Sequence, residues 1–352
     1  MARLMTRSHA RARTMAILGG IVAALLVLLP GQAQATHVQC GDVVTQSTTL
    51  DSDLLDCPGD GVVIGAPGIT LDLGGHTIDG TGAGAGGQGV DDSAGHDGVT
   101  VSGGTIQEFQ AAVYLEDADG SRVRRLTLTD SGSGVWLTNS DAGVIERNTL
   151  LDAGIAVFGS DDNVIRANRV SGPGTAIILW GGPGPSYDPT ERTVIERNSL
   201  VGNGVGIASI FTAQTVIRAN EVTGSTGDGG ILEAGTLTVI EDNTVSESTQ
   251  LGISIAGNNN RAARNRVTGN GTDGITVAGG TGSAGTVLER NVASGNGDDG
   301  IDVNSSSATI TRNTADDNAD LGIEAEPGVT DGGGNRARGN GNPVQCLNVS
   351  CR

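Results

Sequence analysis

The chain has 352 residues, of which 58 are Gly and only 2 % aromatic, and a formal net charge of −19. That much Gly excludes a mainly helical protein, because each Gly in a helix interior costs about 1 kcal/mol relative to Ala. The acidity and the absence of Lys disfavour nucleic acid as a partner, since such binding needs basic contacts to phosphate.

Residues 1–35 read as a secretory signal peptide. Arg3, Arg7, Arg11 and Arg13 make a basic start, 16–29 is an apolar run, and Ala33-Gln34-Ala35 is a small-residue cleavage pattern. A retained anchor is the alternative, but the run is shorter than the ~18–20 residues a span needs. Cleavage leaves 17 Arg against 40 acids, a net of −23. Such a chain repels a polyanionic glycan unless cations bridge the two. The expectation is a secreted, extracellular or envelope-associated protein, monomeric and free of the membrane.

Residues 36–60 are expected to form an N-terminal cap with Cys40 and Cys57, and 326–352 a C-terminal cap with Cys346 and Cys351. In an exported chain an even number of Cys, grouped at the two ends, suggests two local disulfides. Metal binding by these Cys is the alternative, and it finds only His37 nearby.

GITLDLGGHTIDG (68–80) and GVTVSGGTIQEF (98–109) look like early, irregular turns of a repeat. Between them, 87–98 reads GQGVDDSAGHDG. There Asp91, Asp92 and Asp97, with His96, offer donors that suit calcium, although no ligand loop of known spacing is present and a plain loop explains them equally.

From residue 113 the repeat becomes regular. An apolar-x-apolar triplet, usually after Gly, recurs as VYL (113–115), VWL (135–137), IAV (155–157), IIL (177–179), IAS (207–209), ILE (231–233), ISI (253–255), ITV (275–277), IDV (301–303) and IEA (323–325). The steps run from 20 to 30 residues and are mostly 22. A second phrase, apolar-x-x-Asn, interleaves with it, as in Ile145/Asn148, Ile165/Asn168, Ile195/Asn198 and Ile217/Asn220. Each unit thus has about three short strand-like pieces punctuated by Gly and Asn.

No unit can bury its own apolar side, but stacked units can, and that makes a solenoid. Like-on-like stacking gives parallel ladders, whose connections are right-handed. The predicted fold is all-β: a single-stranded right-handed parallel β-helix over 61–325, roughly a dozen coils and ~60 Å long at the strand spacing. A leucine-rich horseshoe would want Leu-x-Leu and a helical segment per unit, and neither is present. The Asn column reads as a structural ladder, with Asn taking left-handed angles at the bend and pairing its amide across rungs. The residue after each ladder Ile alternates in sign (Glu146, Arg166, Glu196, Arg218, Glu241), as stacking in sequence order requires.

The opening GITLDLGGHTIDG and the repeated GI-x-V and NxxN phrases resemble secreted bacterial right-handed β-helix repeat proteins of the pectin-lyase-like fold. They are also similar to the periplasmic β-helical accessory proteins of nitrous oxide reductase maturation. The resemblance covers nearly the whole chain after residue 35. It implies the fold and leaves function open, because that fold hosts lyases, hydrolases, epimerases, adhesins and inert scaffolds.

Three further sets of residues are candidates for function. Asp273 in TDGITV, with Asp298 and Asp299 in GDDGIDV, resembles the acid–base carboxylates of polygalacturonases. The Gly-His-Gly and Arg-Ile-Lys of that family have no counterpart here, since no His follows His96. The loop GGPGPSYDPTER (181–192) offers Tyr187 and Asp188, and its YDPT faintly resembles the Asp-Pro-His of alginate epimerases, with Thr190 in place of His. The middle residues of the triplets should form an outward stripe that starts aromatic at Tyr114 and Trp136, and Trp180 lies near it by register. With Tyr187 these are the expected ligand contacts, because flat rings on a wet face suit sugars. The first reading is a non-enzymatic exported scaffold that contacts a glycan or cell-surface polymer. The second is a polysaccharide lyase, glycoside hydrolase or epimerase whose site has no recognised signature. No cofactor is firmly implied; calcium is the one candidate.

Overall fold

A computed structural model describes residues 34–182, 189–280 and 283–352. Apart from Gln34 and Ala35, the expected leader lies outside these residues, as do Tyr187 and Asp188. Among the described residues there is no α-helix, and none long and apolar enough to cross a membrane.

The chain winds as a parallel β-solenoid of three ladders. The first is a 14-stranded sheet that runs from Asp42–Val44 to Ile323–Ala325, with Thr190–Glu191 as a side strand. The second and third ladders form a 24-stranded sheet, joined where Thr100–Gln107 and Arg122–Thr129 run through both. Stacking follows chain order and is in register: Ile207 pairs Ile231, then Ile253, then Ile275, and all four are fully buried. The first and third residues of each triplet point inward because side chains alternate along a strand. Two inward third positions are polar, Ser209 and Glu233, and both are buried.

The Gly before most triplets has a steric cause; Ala112 and Ala176 stand there in two. At Gly252 an added Cβ would collide with the Val267 side chain and lie 2.5 Å from the Gly274 carbonyl oxygen. The same corner recurs at Gly206, Gly230, Gly274 and Gly300, so these Gly stack on one another.

The Asn column is a buried ladder. The Asn220 carbonyl oxygen accepts the backbone N–H and the amide of Asn198, both at 3.0 Å. Its own amide donates to Ile195 O at 2.9 Å and to Asn243 Oδ1 at 3.0 Å. The left-handed residue of each bend is not the Asn, as expected, but the one before it: Arg147, Ala167, Arg197, Ala219, Asp242 and Arg264 have φ of 53° to 57°. That bend turns the following Asn side chain inward, where only its amide is needed. A second ladder, Asn270–Asn296–Asn318–Asn340, ends on the Gln345 side chain. The alternating charges meet as expected, with Arg166 2.8 Å from Glu146 and Arg218 2.7 Å from Glu196.

The disulfides are Cys40–Cys57 and Cys346–Cys351. The coil also extends into both expected caps. Strands Asp42–Val44 and Thr48–Leu50 belong to its ladders, as do Thr330–Gly333 and Arg336–Arg338. The ends are therefore closed by coil material pinned at each disulfide.

Candidate functional site

The outward side of the first ladder holds two chemically different regions. Its central column runs Asp91, Tyr114, Trp136, Ala156, Ile178, Ala208, Leu232, Ser254, Thr276, Asp302, Glu324, one residue per rung. The sequence stripe is thus reproduced in register.

The apolar half of this face is an aromatic row. Tyr114 and Trp136 meet edge to face with ring centres 6.1 Å apart, and Trp136 meets Phe158 at 5.3 Å. Phe158 pairs Trp180 in register, and Trp180 meets Phe211 edge to face at 5.5 Å. Tyr114, Trp136, Phe158 and Trp180 are half-buried, and Phe211 is 48 % exposed. The polar tips are tied down: Trp136 Nε1 donates to Thr138 Oγ1 at 3.0 Å, and Tyr114 Oη donates to Glu116 Oε2 at 2.9 Å. Burial, then Glu116, pushes the Tyr114 phenol up to about 12, so it stays a neutral donor.

Phe211 reaches this row through a local irregularity. Val205–Ala213 runs nine residues, held at its end by Thr190–Glu191, and its register shifts between Ile210 and Ala213. Phe211 sits in that bulge at φ 55°, an uncommon angle for a bulky side chain, which aims it out of the sheet.

The other half is acidic. Asp273, Asp298 and Asp299 do come together on adjacent coils: Asp299 N donates to Asp273 Oδ1 at 3.1 Å. Three residues that the sequence reading did not count as a site join them, Asp302, Asp320 and Glu324. Carboxylate oxygens of Asp298, Asp299 and Asp320 lie within 4.8 Å of one another, as do those of Asp299, Asp302 and Glu324. Burial raises Asp299 to about 7, against the pull of the Leu321 N–H that it accepts, and Glu324 and Asp298 add to the rise. Burial likewise raises Asp302 to about 6. Asp298 is raised by burial and then by Asp273 and Asp320. Close carboxylates that cannot all ionise share protons, which suits either acid–base chemistry or a divalent cation such as calcium. The signal for Asp302 and Glu324 was present as the middle letters of consecutive triplets, IDV and IEA. Phe158 and Phe211 lie outside the triplets and gave none.

Asp91, Asp92 and Asp97 do not converge. Asp91 faces outward and binds Ser93, while its strand neighbour Asp92 points inward, fully buried, 2.7 Å from His96 Nδ1. Asp97 accepts the Asp119 N–H at the coil edge. Asp161 is tied to Glu191 N and Arg192 and lines a hollow with Asn139, Asp141 and Pro189.

The right-handed β-helix region matches residues 44–188 and 154–284. No curated protein sequence matches the chain. Among solved structures, the chain resembles the Azotobacter vinelandii mannuronan C-5 epimerase A-module, at 15 % identity over 88 % of this chain and 89 % of that one, with a TM-score of 0.53. It resembles a double mutant of a periplasmic alginate epimerase at 14 % identity over 85 % and 77 %, TM-score 0.53. It also resembles the receptor-binding tailspike of bacteriophage Det7 at 10 % identity over 78 % and 67 %, TM-score 0.58. These likenesses are of fold. None supports the narrower likeness to a nitrous oxide reductase accessory protein.

Proposed function

Because the chain belongs to the right-handed β-helix family, we propose that it is an exported scaffold that holds a carbohydrate against the outward side of its first ladder. The observation behind this reading is the row Tyr114, Trp136, Phe158, Trp180, Phe211, which sets one ring on each of five consecutive rungs. A row of half-exposed rings is poor surface for a monomer and good surface for pyranose faces. The two disulfides favour an oxidising compartment, in keeping with the leader pattern. Retention on a panel of immobilised glycans tests it. Trp136→Ala should weaken retention at least about tenfold, roughly 1.4 kcal/mol, with little change in melting temperature. Unchanged retention would remove the row from the binding site.

The acidic half favours a second reading, catalysis. A carboxyl near 7 beside one near 6 supplies a proton donor and a base close to neutral pH, the pairing that glycosidic cleavage uses. A screen for new reducing ends and unsaturated products, with Asp299→Asn as control, decides it. Absence of product from neutral and acidic glycans alike argues for the scaffold. A calcium ion among these carboxylates belongs to the same reading, and calcium-dependent melting would reveal it.

A further inference from the structure

The central column that carries Tyr114 and Trp136 continues, through Ala156 and Ile178, into a notch that the sequence makes by shortening one corner. Between Thr129 and Val135 the chain has five residues, and between their register counterparts two coils on, Ser171 and Ile177, again five. Between Leu151 and Ile155, on the coil that lies between those two, it has three. The missing pair leaves a hollow of about 130 Å³ walled by Ser133, Asp152, Thr175 and Asn203, with Ala156 and Ile178 of the central column on its inner side.

Asn203 is the telling wall residue. It is 2 % exposed, and its amide donates to Gly172 O at 3.1 Å, yet its carbonyl oxygen is buried with no partner. A buried acceptor left unpaired costs roughly 1–3 kcal/mol, so this wall is held at a cost. Asp152 adds an exposed carboxylate, and Ser133 and Thr175 add hydroxyls. The polar side chains here are hydroxyls, an amide and a carboxylate, set beside the apolar Ala156 and Ile178.

Charge narrows the ligand further. Among the described residues, no strand of the first ladder contains Arg or His, and the chain has no Lys. The guanidinium of Arg192, at the coil edge, is already held by Asp161, Asp162 and Glu191 at 2.8–2.9 Å. Glu116 and Asp91 flank one end of the row, and Asp302 and Glu324 lie further along the same column. A polyuronate or sulfated glycan would bring its charges to a face with nothing to neutralise them.

Resting on the carbohydrate reading, we infer that this face takes an uncharged polysaccharide, stacked on the ring row, with one hydroxyl-bearing sugar or side branch seated in the notch against Asp152, Ser133 and Thr175.

The wild-type protein reports on this itself, because its two Trp, Trp136 and Trp180, both stand in the row. Trp emission is followed while soluble galactomannan, xyloglucan and mixed-linkage β-glucan are titrated in, each against alginate and polygalacturonate, all in EDTA. A saturable shift with a neutral polymer and none with the polyuronates supports the proposal. An equal shift with a polyuronate overturns the uncharged class and leaves the carbohydrate reading standing. No shift with any polymer overturns both. Gly174→Leu tests the notch, since an added Cβ there meets no atom within 4 Å and the fold should tolerate it. It should weaken binding of the neutral polymer about tenfold while polyuronates stay inert; unchanged affinity overturns the notch as a subsite.

Discussion

Glu233 stands where most coils place an aliphatic side chain. Its rung neighbours at that position are Ser209 and Ile255. Its Oε1 accepts the Gly235 N–H at 2.7 Å and the Thr238 hydroxyl at 2.9 Å, while Oε2 is buried without a partner. Burial outweighs the pull of the neighbouring Ser209 hydroxyl and of these bonds, and pushes the carboxyl from its ordinary value of 4.5 up to about 7. The folded form therefore holds a proton that the unfolded chain releases near pH 4.5. Stability is full below that pH, falls as pH rises toward 7, and is flat above; a rise of about 2.5 pH units corresponds to about 3 kcal/mol. Glu233→Gln should remove this share of the slope and leave that of the raised Asp299 and Asp302, so thermal melts between pH 4 and pH 8 should fall less steeply for the variant than for the wild type. An equal slope in the variant would mean that Glu233 is ionised or solvated in the fold. The residue was legible as the last letter of ILE at 231–233, an acid in an inward place, but a pattern read for periodicity passes over a single exception.

At the scale of the element, the Gly column shows why the triplets were so easy to find. Each Gly is fixed by its neighbours on the next coil and on the next ladder, so its spacing repeats with the coil. Gly252→Ala would push a methyl group onto Val267 and the Gly274 carbonyl, at a cost of about 1–3 kcal/mol. Adding Val267→Ala should recover part of that loss, because the same volume is then free. Urea unfolding of the single and double variants measures it; additive losses would mean that backbone strain, not crowding, sets the Gly. The parts of the site that follow the period were legible in the same way. Tyr114 and Trp136 occupy triplet centres, and Asp273, Asp298 and Asp299 sit at the entry to successive triplets. Phe211 was not legible, because a register shift and a left-handed residue bring it to the row. Nor was the notch, which arises from two residues left out of one corner.

Over the whole coil, each turn touches mainly the turns beside it, so stability is a sum of local terms and can be lost from the ends inward. The sequence predicted about a dozen coils from the step of 22 residues, and the first ladder stacks its triplets in that order. It missed how far coil geometry extends into the caps, because 36–60 and 326–352 lack the triplet spelling even though their backbone pairs as strands. The disulfides thus act on coil ends and not on separate caps. By loop-closure entropy, a bond spanning 17 residues at Cys40–Cys57 is worth about 3 kcal/mol, and one spanning 5 residues at Cys346–Cys351 about 2 kcal/mol. Reduction should therefore loosen the two ends unequally. Amide hydrogen exchange after reduction should rise most around Val44, Leu50 and Ile64, less around Ile323, and hardly at all along Ile207, Ile231, Ile253 and Ile275. A uniform rise along the rod would mean that the coils unfold as one cooperative body, and that the inward Ile columns do not hold each coil independently of its distant neighbours.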